Sequence, residues 1–433
     1  MPSLQIMIAA AAVLGDALRG RSDGVRRRSR RRPPAVARTW LAALAVVTLA
    51  MLSAGHAADL VEGEFGTVNL GRPLVAGTHI PTVRELREIV GRQRLETVVL
   101  LKLHGDKNNH YLPAWSEDGL RLAFQRSDVG SRASKLLLFS SLSAAEPTLL
   151  TPADSSFDQM FRWGVNSASS YVFARTTRDS KSAQIYFSEN GGEPVSKTQD
   201  AGRHVYPAIY RRTDGIWRMV YELDGRLMHD AWKSKQPIEA GQSLGSGSLP
   251  RWDRTGTQLL IARERGGQGR AGAYDVVIRN LKKEKEQVVP IDATDDVRSP
   301  CWSPDEQFVS FYHRKSGENH PWRVAIAPIS DVRRVRDLGE QVVVNVDFES
   351  PGPAWEPTGE RIWGFSHARH TQAYYPLIGI DINSGTMIEV DYPRRCTTPN
   401  DLAVNPTADI PEMAFTGQVG LTQDLFVILL NHY

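Results

Sequence analysis

The 433-residue chain is 41% hydrophobic and 23% charged, with two cysteines and a formal net charge of +3. These values exclude a disordered, collagen-like or multi-spanning membrane chain, and two cysteines cannot build a disulfide framework. Nine arginines and two acids fall within residues 1 to 57, so a local +7 inside the total of +3 leaves −4 for residues 58 to 433. Nucleic acid is therefore not the expected partner of the bulk of the chain.

In chain order, Arg26 to Arg28, Arg30 to Arg32 and Arg38 precede an uncharged apolar run of fifteen residues, Trp40 to Ala54, followed by Gly55-His56-Ala57-Ala58. A positive region, an apolar region and small residues at the processing site form a secretory signal. Fifteen residues are short for a membrane span, which sets an uncleaved anchor second and leaves no stable span after processing. Ser29-Arg30-Arg31 hints at a twin-arginine signal, but Pro33 and Pro34 stand where that signal wants apolar residues, so the general route is expected. Residues 58 to 96 form a short extension with one expected helix, Thr82 to Arg92, after Pro81.

From residue 97 one motif recurs. It reads Leu112-Pro-Ala-Trp-Ser-Glu-Asp-Gly119, Leu249-Pro-Arg-Trp-Asp-Arg-Thr-Gly256, Ser299-Pro-Cys-Trp-Ser-Pro-Asp-Glu306 and Gly352-Pro-Ala-Trp-Glu-Pro-Thr-Gly359. Weaker copies centre on Trp163, Ile209 and Val404. The markers Trp115, Trp163, Ile209, Trp252, Trp302, Trp355 and Val404 are spaced 43 to 53 residues apart, with a mean near 48. That is the length of a four-stranded propeller blade. A polar residue, proline and often glycine after the Trp match a type I turn between antiparallel strands. The proline before the Trp lacks an N–H and suits a strand's first residue. The indoles of Trp115, Trp163, Trp252, Trp302 and Trp355 would fill space between adjacent sheets. The expected fold is all-β, a propeller of seven four-stranded antiparallel blades over residues 97 to 433, with six blades as the alternative. The last copy supplies three strands, so Thr97 to Leu103 is expected to complete it and close the ring.

These residues resemble the TolB-like propeller repeat, whose hallmark is Pro-x-Trp-Ser-Pro-Asp-Gly before a short apolar strand. The resemblance covers residues 97 to 433, is strong in four blades, and implies an exported, often periplasmic, protein-binding module. It departs from TolB in one respect. Only about 40 residues separate Ala58 from the first blade, too few for TolB's preceding α/β domain.

Sites of chemistry are sparse. Gly241-Gln-Ser243-Leu-Gly245 matches the nucleophile-elbow pattern, but it lies in a Gly/Ser run, Gly241 to Ser248, that reads as a loop between blades. His367 and His370 follow the sixth blade's strand, and His313 and His320 occupy the corresponding region of the fifth. Imidazoles converging at one end of the channel could bind a divalent metal. This set resembles, faintly, the oligogalacturonide lyases, propellers in which histidines and a metal act on an acidic sugar. Cys301 and Cys396 are expected as free thiols, Cys301 buried. The leading expectation is a periplasmic or secreted module that binds a protein or envelope component through charged loops such as Arg263 to Gly266 and Arg314 to Gly317, with a few aromatics such as Tyr374 and Tyr375, and with no catalytic residue and no cofactor. The alternative is a carbohydrate lyase with a histidine-bound metal. Processing after Ala57 is expected, so N-terminal sequencing of the exported protein should read from Ala58; a membrane-retained chain still carrying Trp40 would identify an anchor instead.

Overall fold

The second and third strands of each repeat are apolar on both faces, and a sheet of that kind needs a neighbour on each side. In the second strand of the fourth repeat, Gln258–Glu264, the side chains of Leu259 and Ile261 pack toward the preceding sheet and Leu260 toward the following one. In the last repeat Met413 and Phe415 face one neighbour while Ala414 faces the other. Period-two alternation of this kind, carried round the chain, leaves an apolar cluster at each of seven junctions between sheets, and a second one between the second and third repeats, among the described residues. The core is the set of seven seams.

The structure is a computed structural model that describes residues 67–69 and residues 98–430, apart from short segments at 105–106, 128–132, 143, 145, 153, 155, 178–181, 234–240, 266–273, 316–320, 343–350, 368–374, 391–395 and 409–410. The expected signal, and the extension with its helix, lie outside the described residues except for 67–69. Among the described residues no helix is long and apolar enough to cross a membrane.

The fold is a β-propeller of four-stranded antiparallel blades, seven in number rather than six. The inner strands of blades 1 to 7 are Asn109–Trp115, Phe157–Gly164, His204–Arg211, Ser248–Trp252, Asp295–Trp302, Ala354–Trp355 and Thr397–Val404. Blade 7 takes its fourth strand from the start of the propeller. Val98–His104 runs antiparallel to Thr422–Leu430, with Val98 opposite Leu430 and Lys102 opposite Phe426. Thr67–Asn69 adds a parallel fifth strand beside it. The fourth strands are short or exposed, as in Thr148–Leu149 and Lys285–Val288.

The indoles tie blade to blade. Trp115 Nε1 donates to Ala403 O at 3.1 Å, Trp163 to Ala114 O at 2.9 Å, Trp252 to Ala208 O at 3.1 Å and Trp302 to Arg251 O at 3.3 Å. Each acceptor is the residue just before the marker of the preceding blade. Trp355 reaches the Ser310 hydroxyl of blade 5 at 2.7 Å instead, and that hydroxyl also meets Cys301 Sγ at 3.1 Å. Cys301 and Cys396 are both free and buried.

In blades 1, 3, 4 and 5 the proline of the motif sits inside the inner strand and not at its first residue, because a bulge removes it from the ladder, while in blade 6 Pro353 immediately precedes the strand. In blade 1 the register jumps from Tyr111 opposite Gln125 to Ala114 opposite Ala123, so Leu112 and Pro113 have no opposite number. The same jump recurs in blades 2, 3, 4, 5 and 7. Three residues before every marker the backbone is left-handed: Leu112, Met160, Tyr206, Leu249, Ser299 and Asp401 have φ between 47° and 58°, and Gly352 has 95°. A bulky residue there stores on the order of 1 kcal/mol and persists only where its surroundings hold it.

After the markers of the four strong copies the turns close as expected, with Gly119 N donating to Ser116 O and Gly359 N to Glu356 O at 2.9 Å, and Gly256 N and Glu306 N making the same bond in blades 4 and 5. At the seam of blades 7 and 1, a Cβ on Gly119 would lie 2.1 Å from Thr407 Oγ1 and 2.2 Å from Asn405 Oδ1. The Gly241 to Ser248 run is not a loop. Gln242–Ser246 pairs with Arg226–Trp232 as the fourth strand of blade 3, the ladder outweighing the local turn composition. This places Ser243 on an exposed strand with no helix after it, so the elbow reading falls.

Two measurements check the ring. Deleting residues 98 to 104 should lower the melting temperature sharply, since it reopens the seam of blades 7 and 1; a deletion variant melting with the parent would overturn this closure. Trp252→Phe should cost about 1 kcal/mol through the lost indole donor, and Trp252→Ala about 3 to 5 kcal/mol, both read by denaturant unfolding.

Candidate functional site

The inner strands begin, and the second strands end, at the face opposite the motif turns. At this loop end, blade 5 carries a chain of charges across all four of its strands. Asp295 opens the inner strand Asp295–Trp302, His313 lies near the end of Phe308–Lys315, Arg323 near the start of Trp322–Pro328, and Asp337 in Arg336–Val342. His313 Nδ1 lies 3.2 Å from Asp295 Oδ2 and His313 Nε2 lies 3.6 Å from Asp337 Oδ2. Arg323 Nη1 donates to the same Asp337 oxygen at 2.7 Å, and the Gly339 amide to Asp337 Oδ1 at 2.7 Å.

The electrostatics follow from that geometry. Burial pulls the His313 imidazole toward the neutral form, but the two carboxylates outweigh it and raise its pKa above the ordinary value. Burial raises Asp337, and His313, the Gly339 amide and Arg323 together bring it below the usual aspartate value. Carboxylates facing both ring nitrogens favour the protonated imidazole, which has no lone pair to give a metal.

Beside this chain lies a stack of guanidiniums on aromatic rings. Arg314 sits 4.4 Å from the centre of the buried Trp322 ring, and Arg298 lies 5.1 Å from Tyr274 and 5.9 Å from Trp322. Arg314 Nε approaches Asp296 Oδ2 at 3.8 Å. Blade 4 contributes Arg265, which donates to Asp275 Oδ1 at 2.5 Å and to Asp292 O at 2.9 Å, and Arg263, which forks onto Glu286 at 2.8 and 2.7 Å. The sequence places Arg263, Glu264, Arg314 and Lys315 in loops. They stand instead on the ends of strands, because the second strands run several residues past their apolar segments.

Of the four histidine candidates, His313 joins the charge chain. His367 follows the second strand of blade 6, half-buried, its ring 6.3 Å from Tyr375. His320 and His370 lie outside the described residues, as does Tyr374. Among the described residues no three His, Cys, Asp or Glu side chains gather closely enough to hold a metal ion. The partners of His313 were not singled out in the sequence. Asp295 belongs to the acidic run Asp292 to Asp296 ahead of the fifth motif, and nothing in the sequence marks Asp337.

A second ionic cluster joins blades 1 and 2. Asp158, fully buried, receives Arg175 Nε at 2.6 Å and Nη2 at 3.1 Å and faces Lys135 Nζ at 3.6 Å. Its groups neutralise one another inside a seam.

No protein-family model matches the sequence, and no curated protein matches it. Solved structures do. The chain is similar over 76% of its length to 52% of puromycin hydrolase, with a TM-score of 0.53 at 12% identity. It is similar over 76% to 93% of an oligogalacturonate lyase from Vibrio parahaemolyticus, with a TM-score of 0.49 at 11% identity. It is similar over 74% to 86% of TolB from Acinetobacter baumannii, with a TM-score of 0.41 at 12% identity. The chain thus spans about half the length of the hydrolase it matches. Likeness at such identity shows the β-propeller fold and no activity.

The pH dependence of the charge chain is fixed in sign. A raised histidine contributes stability fully present below its ordinary value of 6.5 and lost as pH rises through the folded value. A lowered Asp337 contributes above 3.8 and is lost as pH falls below it. Wild type should therefore lose stability relative to His313→Gln as pH rises above about 6.5, with the two curves parallel below it. Denaturant unfolding on both sides of that value checks it; curves parallel throughout would show that His313 is not held charged.

Proposed function

We propose that the protein is an exported, non-enzymatic binding propeller, periplasmic or secreted, whose loop end on blades 4 and 5 recognises a charged protein or envelope component. The observation that carries this reading is the stack of Arg298 and Arg314 on Tyr274 and Trp322 beside the Asp337–Arg323 pair. Arginine and large aromatics are the residues that most often dominate binding energy at interfaces. Guanidiniums already stacked on rings lose less side-chain freedom when a partner docks. Alternating signs along the same face suit a partner of complementary charge pattern and disfavour others. The N-terminal signal pattern supports export, and the resemblance of the repeat to TolB supports an envelope partner.

The test is a pull-down from envelope extract with wild type, the double variant Arg314→Glu/Arg323→Glu, and a control altered at the motif turns, Glu117→Lys. A partner held by the loop end should be retained by wild type and the control, lost with the double variant, and released as salt shrinks the screening length from about 8 Å to about 3 Å. A partner captured equally by all three would overturn the assignment of the face. A tightly held metal with oligosaccharide cleavage lost in His367→Ala would replace binding by the lyase reading.

A further inference from the structure

The outermost strand of a propeller blade is an open edge, a row of amides and carbonyls on which a further strand can pair. Six blades blunt that edge. Thr148–Leu149 and Val195–Ser196 are two residues long, and Lys285–Val288 and Met387–Val390 are four. Gln242–Ser246 is interrupted by a bulge at Leu244. Arg336–Val342 has seven residues, but it is interrupted around Gly339, whose φ is 80°, and it carries Arg336, Asp337 and Glu340. Shortness, bulges and charge each spoil an edge as a template.

Blade 7 is built differently. Its outermost strand, Val98–His104, has seven residues and reads Val-Val-Leu-Leu-Lys-Leu-His, with four apolar residues before the first charge. Against Thr422–Leu430 it stays in register from Val98 to Lys102, and only at Leu103 does a bulge break it. The unbroken stretch is the part that is covered, since Thr67–Asn69 pairs with Leu100, Leu101 and Lys102. Among the described residues no other blade has a strand outside its fourth. The covering strand runs parallel, and the 28 residues between Asn69 and Val98 exceed the dozen or so that a parallel crossover needs. Gly66 before it, and Gly71 and Pro73 after it, bound its strand-forming sequence, so the new edge is itself short.

We infer that Thr67–Asn69 is a guard strand, and that the edge of blade 7 beneath it is a strand-addition site for the same edge of a second copy of this chain. Two Val98–Lys102 stretches can pair antiparallel about a two-fold axis. A register centred on Leu100 puts Lys102 of each copy opposite Val98 of the other, so the two lysines fall at opposite ends and like charges stay apart. The stretch has high β propensity and a single charge at its end, the composition that favours pairing with its own kind, and it carries no charge pattern to select a foreign strand. Pairing of this sort closes at two chains, because each edge then covers the other. The inference is independent of the loop-end proposal, which concerns blades 4 and 5.

The test uses the full chain with Thr67→Pro/Val68→Pro and, separately, Val68→Pro/Asn69→Pro. Proline cannot donate to the ladder, and neither pair lies in a strand of the seven blades. At low protein concentration, hydrogen exchange should quicken about tenfold or more at the outward amides of residues 98–102 and stay unchanged in Thr422–Leu430. As concentration rises, light scattering should show both variants reaching twice their dilute mass, with slow exchange restored, while wild type keeps its mass. A synthetic peptide of residues 64–72 in excess should return the variants to their dilute mass, and the same peptide carrying prolines at 67 and 68 should not. If one variant fails to fold, the other still decides. Exchange at residues 98–102 as slow as in wild type would overturn the guard. Faster exchange without association would overturn the second copy as occupant. Association that the peptide does not reverse, or that grows beyond two chains, would place the contact elsewhere and overturn the edge.

Discussion

Everything in this molecule depends on the fact that none of its sheets can bury both apolar faces alone. A four-stranded blade with Leu259 and Ile261 on one side and Leu260 on the other is stable only between two neighbours, and only a closed ring gives every blade two. The indole bonds set the spacing of that ring. Trp115, Trp163, Trp252 and Trp302 each satisfy a buried carbonyl of the preceding blade while filling the seam with their rings. At about 1 kcal/mol each the bonds are modest, but a carbonyl left without its donor inside the seam would cost more.

Closure also explains why the inner strands bulge. Seven strands converging on one axis crowd at the centre, and a bulge with a left-handed residue bends each strand and increases its local twist. Proline is tolerated there because the bulge has already removed its residue from the ladder.

The two ends of the ring differ in kind. At the motif turns, hydrogen bonds such as Asn405 Nδ2 to Gly119 O and Arg254 N to Glu306 Oε1 link neighbouring blades, so that end belongs to the scaffold. At the loop end the second strands outrun their apolar segments and finish in Arg263, Glu264, Arg314 and Lys315. Those side chains are held by pairing along strands, where a rigid frame can present them. Recognition is best built on such positions.

The repeat was legible because a turn, a proline and an indole serve the same local and inter-blade need in every blade, and such needs write themselves at a fixed spacing. Even the copies lacking Trp, at Ile209 and Val404, were placed correctly, as the left-handed residues at Tyr206 and Asp401 show. Local composition misled where pairing decides. Gly241 to Ser248 looks like a loop, yet a ladder with Arg226–Trp232 makes most of it a strand, since a fourth strand needs a partner more than it needs apolar residues. The partners of His313 were illegible for a related reason: Asp295 and Asp337 lie 18 residues before it and 24 after it, and only the register of four strands brings them together. Sequence by itself determined the blade, its period and the need to close the ring, because these rest on alternation and turn chemistry within about fifty residues. Only the tertiary structure decided the charge chain of blade 5 and the bulges, because those depend on which strand lies beside which.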